Sequence, residues 1–415
     1  MLKHRFIQVM GFASFIFVFC GNLVSGSVDC DNKKVLTLWH SYTGVQYEVL
    51  RNLLNEYNST EAIDACLEEK FRNVWNIEAF ILGTSSLKSP PDLLIAPHIS
   101  LLTSDNLSSY ETANGLDFNK NFAAEVLKAF EREGKLFALP INLDVAALIY
   151  NRNLIKMKPQ TLGDLEKSML EISTPQKGLF GISYEYDELL FHSIFLNGPG
   201  RAAYDPINQK WNIATESNIN SYNKILGWRD SLRVLHPNAE HASVVSAFNS
   251  NKVAFAIVSS QYFYDSDEKE STLISESVNY DFSLLPYSDK GSRLMPWSFI
   301  EGIYITKQSA DYKASQQFAV WLTSEHTQVK FFELPTYVSA NRKLYERQLV
   351  ELNKYQEGFY NQAKYSTPIP TQKWFRAVLN NLQWSTKRIF GNNEDPIEVL
   401  LDAENKIKEK PYRGI

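Results

Sequence analysis

The chain has 415 residues, 44% of them hydrophobic and 21% charged, with 18 Gly and 16 Pro; this is ordinary globular composition and too long for one simple core, so two lobes are expected. Lys and Arg number 42 against 47 Asp and Glu, a formal net charge of −5, which offers no electrostatic footprint to nucleic acid. Aromatic residues make up 13% (25 Phe, 21 Tyr, 8 Trp), enough to give a ligand flat faces, although most of them must fill cores.

Residues 1–27 read as a secretory signal: Lys3 and Arg5, an apolar run over 6–19 interrupted by Gln8, then small and polar residues over 21–27. The run is short for a membrane span, which needs about 20 residues, and no comparable stretch follows. Cleavage after Gly26 or Ser27 is the expectation, with lipid attachment at Cys20 as the alternative, although Phe19 then stands where a small residue is usual. Losing Lys3 and Arg5 with the leader moves the net charge from −5 to −7. An exported, periplasmic chain keeps Cys30 and Cys66 where thiols oxidise, and both a disulfide and two separate thiols remain open readings. A bond would tie the segment before the first strand to the region after the first helix, contributing about 3 to 4 kcal/mol.

Residues 35–39 predict a strand, and 42–57 a helix with apolar spacing through Val45, Val49, Leu50, Leu53 and Leu54. Cys66, Leu67, Phe71 and Val74 suggest a second helix, and 92–96 (DLLIA) a buried strand set off by Pro90, Pro91 and Pro97. Strands alternating with helices argue for an open, mostly parallel sheet, whose ligands bind beyond the carboxyl ends of the strands. That brings forward Ser41, Tyr42, Thr43 and His98, each of which also reads as a turn residue ahead of a helix. Over 134–153 two apolar strands meet at the polar break 142–144. The Asp144 carboxylate, set between apolar runs, must be solvated, paired or bonded to a ligand, and a crevice would satisfy it.

A second lobe restarts the pattern near 145. It has a helix near 162–172, an aromatic and acidic stretch at 184–188, a helix at 189–196, a helix at 242–248, and strands at 253–259 and 280–285. A loop with Pro296, Trp297, Ser298, Glu301 and Gly302 then precedes a strand at 303–306, and a helix at 311–323 opens a helical stretch broken at 368–371 and at Gly391. Trp75, Trp211, Trp228, Trp321 and Trp384 read as core, and no Cys or His spacing suggests zinc.

The segment GKLFALPINLDVAALIYNRNLI (134–155) resembles the hinge crossing of extracellular solute-binding proteins of ABC importers, in the maltose-binding branch. VLTLWHSYTG (35–44), SAFNSNKVAFAI (246–257), WLTSEHTQVKFFELPTYVSANRKLY (321–345) and TQKWFRAVLNNL (371–382) resemble other parts of the same family in the same order. The resemblance implies an α/β, two-lobed periplasmic-binding-protein fold (type II), with open sheets flanked by helices. The first lobe would hold 30–141 plus 302–334 and the second 147–294 plus 346–415, with hinge crossings at 143–146, 295–301 and 335–340. It further implies a monomer that captures a carbohydrate, an oligosaccharide or a small sugar, in the cleft by hinge closure and delivers it to membrane permease subunits. No catalysis, cofactor or metal is implied.

Carried over by residue, Asp144 falls at an acidic ligand contact, Tyr184 and Tyr186 at a Tyr-containing ligand loop, and Trp374 or Phe375 at a late stacking position. His98 matches a family His, but Ala96 stands where maltose binders carry a Trp, and Gln261 or Tyr262 stands near another. Those departures leave a smaller or differently shaped sugar open, with Trp297 as a candidate for the missing face. A binder of glycerol phosphate or a related small anion shares the Trp39–Ser41 pattern, but Arg376 is the one basic residue placed near the site, and a phosphate wants cations. An exported glycoside hydrolase is the remaining alternative. The chain lacks GxSxG and HExxH, and Glu185 and Asp187, alternating on one stretch, do not give the opposed carboxylates that hydrolysis needs.

Overall fold

The computed structural model describes residues 30, 33–60, 65–73, 77, 80–81, 89–103, 106–111, 117–196, 204–205, 210–263, 273–288, 291–372 and 374–409. The expected leader with Cys20, and Trp75, lie outside them. Strand β1 (Lys34–His40) leads into helix α1 (Gly44–Asn58), whose Val49, Leu50, Leu53, Leu54 and Tyr57 are buried. Residues 65–71, expected as a helix, form strand β2 (Ala65–Phe71), parallel to β1 with Lys34 opposite Ala65 and His40 opposite Phe71. Its first three residues are buried, and the Asn58 side chain takes up both backbone polar groups of Leu67, at 2.9 and 2.8 Å, as a further strand would. Of the two readings for the cysteines, the structure shows the bonded one: a Cys30–Cys66 disulfide joins the segment ahead of β1 to β2.

Strand β3 (Leu93–Pro97) lies on the other side of β1, and the chain then crosses to the second lobe along β4 (Ala138–Val145). The second lobe is built from β5 (Ala147–Asn151), α2 (Leu162–Ile172), β6 (Phe180–Ser183), α3 (His241–Asn249), β7 (Val253–Val258) and β8 (Tyr280–Ser283). Its sheet runs β8-β5-β7-β6, with β7 parallel to β6 and antiparallel to β5. The chain returns along β9 (Trp297–Thr306), followed by α4 (Tyr312–Leu322), α5 (Lys354–Ala363), the short β10 (Thr367–Pro368), α6 (Phe375–Asn392) and α7 (Pro396–Glu409). The first sheet runs β10-β9-β3-β1-β2, with β4 also paired to β9.

Two hydrophobic cores result. Leu139, Ile141, Ile300 and Ile303 belong to the first, Val145, Ala146 and Trp297 to the second, and Leu143 packs against both. Of the stretch 296–302, expected as a loop, residues 297–302 are therefore strand that passes from one lobe to the other. Pro296 ends just ahead of it, and Gly302 lets it pass the Phe130 ring, which a Cβ there would meet at 2.6 Å. At the third crossing, residues 340–347 still hold to the first lobe: Ala340 donates to the Ile141 carbonyl, Arg342 to that of Asn121, and Arg347 pairs with Glu325. Contact with the second lobe begins in the same stretch: Val338 belongs to the second core, Tyr345 packs against it and stacks on Tyr360 at 3.8 Å, and the Tyr355 hydroxyl donates to Glu276. Gly391 does not interrupt α6, which stops at the left-handed Asn393. Trp228 is core, but Trp384 is 65% exposed, on the outer face of α6.

Candidate ligand cleft

Strand direction fixes where a ligand can lie. In the first sheet β1 and β3 are parallel, so their carboxyl ends, Ser41–Thr43 and His98, share an edge. Because β9 is antiparallel to β3, with Glu301 opposite Pro97, the beginning of β9 lies at that edge too. In the second sheet the carboxyl ends of β6 and β7 and the start of β5 share the matching edge, which gathers Asp144, 184–187 and 259–262. The ribbon of β4 and β9 joins the two edges and floors the space between them.

Partners across an antiparallel pair point to one face, and the faces alternate along each strand. Asp144 is opposite Phe299 and Asn142 opposite Glu301, so these four side chains share a face. All four keep part of their surface open, whereas Ser298 and Ile300, pointing the other way, are buried. The open face is the cleft face, because it meets the loops that leave β1 and β7. Asp144 Oδ1 accepts the N–H of Ser260 at 3.3 Å and of Val145 at 2.9 Å. Glu301 Oε2 accepts from the Tyr42 hydroxyl at 2.7 Å and from Asn142 Nδ2 at 3.0 Å. Burial raises both carboxyl groups above their ordinary range, and these hydrogen bonds offset it in part.

The residues expected from sequence divide sharply. Asp144 is on the floor, and Ser41 and Thr43 are partly exposed at the rim. Tyr42 is 3% exposed and acts through Glu301. His98 is fully buried, with the Ile300 N–H donating to Nδ1 at 3.2 Å and Nε2 donating to the Ile369 carbonyl at 3.0 Å. Burial brings this imidazole down to about 4, so it is neutral and both nitrogens are occupied in pinning the 369 segment to β9. Tyr184 and Tyr186 lie in the second core; the Tyr186 hydroxyl donates to the Pro237 carbonyl at 2.7 Å. Tyr262 is buried and donates to Glu185 Oε1 at 2.6 Å, beside His241 Nδ1 at 3.3 Å from the same oxygen. Desolvation also raises Asp187, two residues on. Trp297 and Phe375 meet edge to face at 5.9 Å inside the core, and Phe375 meets Trp374 at 5.6 Å. Trp374 alone of the three keeps an open surface, resting against Trp211 at 5.6 Å.

Sequence reasoning did not nominate Asn142, Phe299 or Glu301 for this face and read Trp211 as core. The signal was present: Trp297, Phe299 and Glu301 alternate with Ser298 and Ile300, the period of a strand. Among the described residues no three His, Cys, Asp or Glu side chains converge as a metal site requires.

The sequence pattern that defines bacterial extracellular solute-binding proteins matches residues 93–357. The chain belongs to that family. A maltooligosaccharide ABC transporter solute-binding lipoprotein of Streptococcus pneumoniae is 22% identical over 344 residues, 77% of this chain and 76% of its own length. A maltotriose-binding protein of Pyrococcus abyssi is 24% identical over 175 residues, 40% of this chain and 36% of its own length. The crystal structure of a cyclo/maltodextrin-binding protein complexed with maltotetraose superimposes with a TM-score of 0.75 at 20% identity, covering 91% of this chain and 97% of that one. The two-lobed type II fold implied by residues 134–155 is thus the fold of this solute-binding protein.

Proposed function

We propose that this solute-binding protein captures a carbohydrate between its lobes and presents it to the permease of an ABC importer. The observation that carries the reading is the open face of the β4–β9 ribbon, which sets carboxylate and amide acceptors beside an aromatic ring at the pivot between the lobes. Carboxylates accept hydroxyl hydrogen bonds and rings cover the apolar faces of sugars. Asp144, Asn142 and Glu301 supply the polar contacts, Phe299 the floor and Trp374 a side wall. The sugar ligands named for the relatives support the same class. Binding is stoichiometric and without turnover, and rotation about the crossings closes the lobes over the solute.

Among the described residues no helix is long and apolar enough to cross a membrane. Thermal-shift screening of the purified chain against mono- and oligosaccharides, polyols and glycerol phosphates tests the proposal. A ligand at 100 times its Kd adds about 2.7 kcal/mol, visible as a rise of several degrees. A response confined to phosphorylated compounds would replace the carbohydrate reading with an anion reading. Scattering with the responding sugar should show a smaller radius of gyration, and an unchanged radius would remove hinge closure.

A further inference from the structure

Asp144 stands directly across from Phe299 on the cleft face, and Glu301 follows Phe299 by two residues on the same face. Phe299 is therefore the neighbour of both carboxylates in the register of this face, its ring edge to face with His98 at 6.4 Å, and all three residues keep part of their surface open. Each carboxylate is fastened through one oxygen and from a different lobe: Asp144 Oδ1 by Ser260 of the second, Glu301 Oε2 by Tyr42 of the first. Neither has a cationic partner among the described residues; desolvation and neutral hydrogen bonds account for the surroundings of both.

Closing the lobes removes water from this floor, and two carboxylates enclosed with no counter-charge are unfavourable however well their oxygens are hydrogen-bonded. A hydroxyl-bearing ligand donates to them and leaves their charge uncompensated. A protonated amine brings three donors and a positive charge, and that charge is attracted to the face of an aromatic ring. We propose that the cleft selects a saccharide carrying a protonated amine, held between Asp144 and Glu301 over Phe299. The inference rests on the carbohydrate reading and narrows it to a substrate class.

Calorimetric titration with matched pairs tests it: glucosamine against glucose, galactosamine against galactose, and the β-1,4 glucosamine trimer against cellotriose. Within each pair a ring hydroxyl is exchanged for an amine. The amine member of at least one pair should bind at least tenfold tighter, and that preference should fall to less than threefold in Asp144→Asn and in Glu301→Gln. Phe299→Leu should weaken the amine about tenfold and the hydroxyl partner less. Circular dichroism establishes that each variant is folded, and any one folded carboxamide variant suffices for the comparison. Equal or tighter binding by the hydroxyl member in every pair that binds overturns the amine proposal and leaves carbohydrate capture standing. An amine preference unchanged in the folded variants overturns the assignment to these carboxylates. Failure of all six sugars, together with a silent thermal-shift screen, takes down both readings.

Discussion

On the β4–β9 ribbon, Asn142, Asp144, Phe299 and Glu301 all keep part of their surface open, whereas in the second lobe Tyr184, Tyr262 and Phe375 are each 0% exposed and Trp297 only 3%. Both regions hold side chains that suit a sugar, and Trp297 sits two residues from Phe299 on the same strand. What separates them is register. Phe299 and Glu301 lie where β9 is paired with β4 at the carboxyl edge of both sheets, and Trp297 lies where the strand has already entered the second core. Residue type nominates a ligand contact; the point at which a strand leaves its core decides whether the contact is available.

The sharpest way to break that comparison is to truncate one member of each region. Phe375→Ala removes a fully buried ring packed against Trp297 and Trp374, and should cost about 3 to 5 kcal/mol in urea unfolding. A loss under about 1 kcal/mol would mean that the block is not core and that Phe375 is available to a ligand after all.

His98 gives the next largest effect, and it sets acid behaviour at the ribbon. Its imidazole is held at about 4 by burial, against about 6.5 in an unfolded chain. Below pH 6.5 the unfolded state takes up the proton first, so stability falls with pH until about 4, by about 3 kcal/mol in all. His192, fully buried with no hydrogen-bond partner among the described residues and held at about 3, adds a loss of the same sign. Unfolding curves at pH 7 and pH 4.5 should therefore differ less in His98→Gln than in the unaltered chain. An identical difference in both would show that His98 is not the buried neutral pin described.

Asp144→Ala should weaken sugar binding at least tenfold, a change of about 1.4 kcal/mol, and leave the unfolding midpoint within about a degree. Titration of the folded variant checks it; unchanged affinity would move the site off the ribbon floor and toward Trp374 and Glu185.

Much of this was legible before any coordinates. The polar break around Asp144, the strands at 35–39, 92–96 and 253–259 and the helices at 162–172 and 311–323 all follow from periodicity and punctuation. The helix suggested at 66–74 failed because four apolar residues fit a helical face equally well when nothing in the sequence shows that Asn58 will pair with Leu67. The loop around Trp297 failed because Pro296, Ser298 and Gly302 look like turn chemistry, and only the pairing with β4 reveals one strand serving two lobes. His98 was nominated for its edge position and Tyr262 by the family resemblance, yet both point inward. Edge position is legible in a sequence; the direction of a side chain at the edge depends on long-range partners such as Ile369 and Glu185.

Glu301→Gln is the smallest change and the most discriminating, because it has the opposite sign to His98 in the same acid range. Burial raises the Glu301 carboxyl above its ordinary value, so between the unfolded and folded values the native state holds the proton longer, and stability falls as pH rises through that window. At neutral pH the charged form therefore works against folding, and the amide, which still accepts from Tyr42 or Asn142, should remove that penalty. The variant should unfold slightly later than the parent at pH 7 and show a steeper loss toward acid, since the opposing contribution of Glu301 no longer offsets that of the histidines. Its affinity for ligand should fall even as its stability rises. A variant that lost stability at pH 7 in proportion to its lost affinity would show Glu301 to be a structural anchor for Tyr42, with no part in recognition.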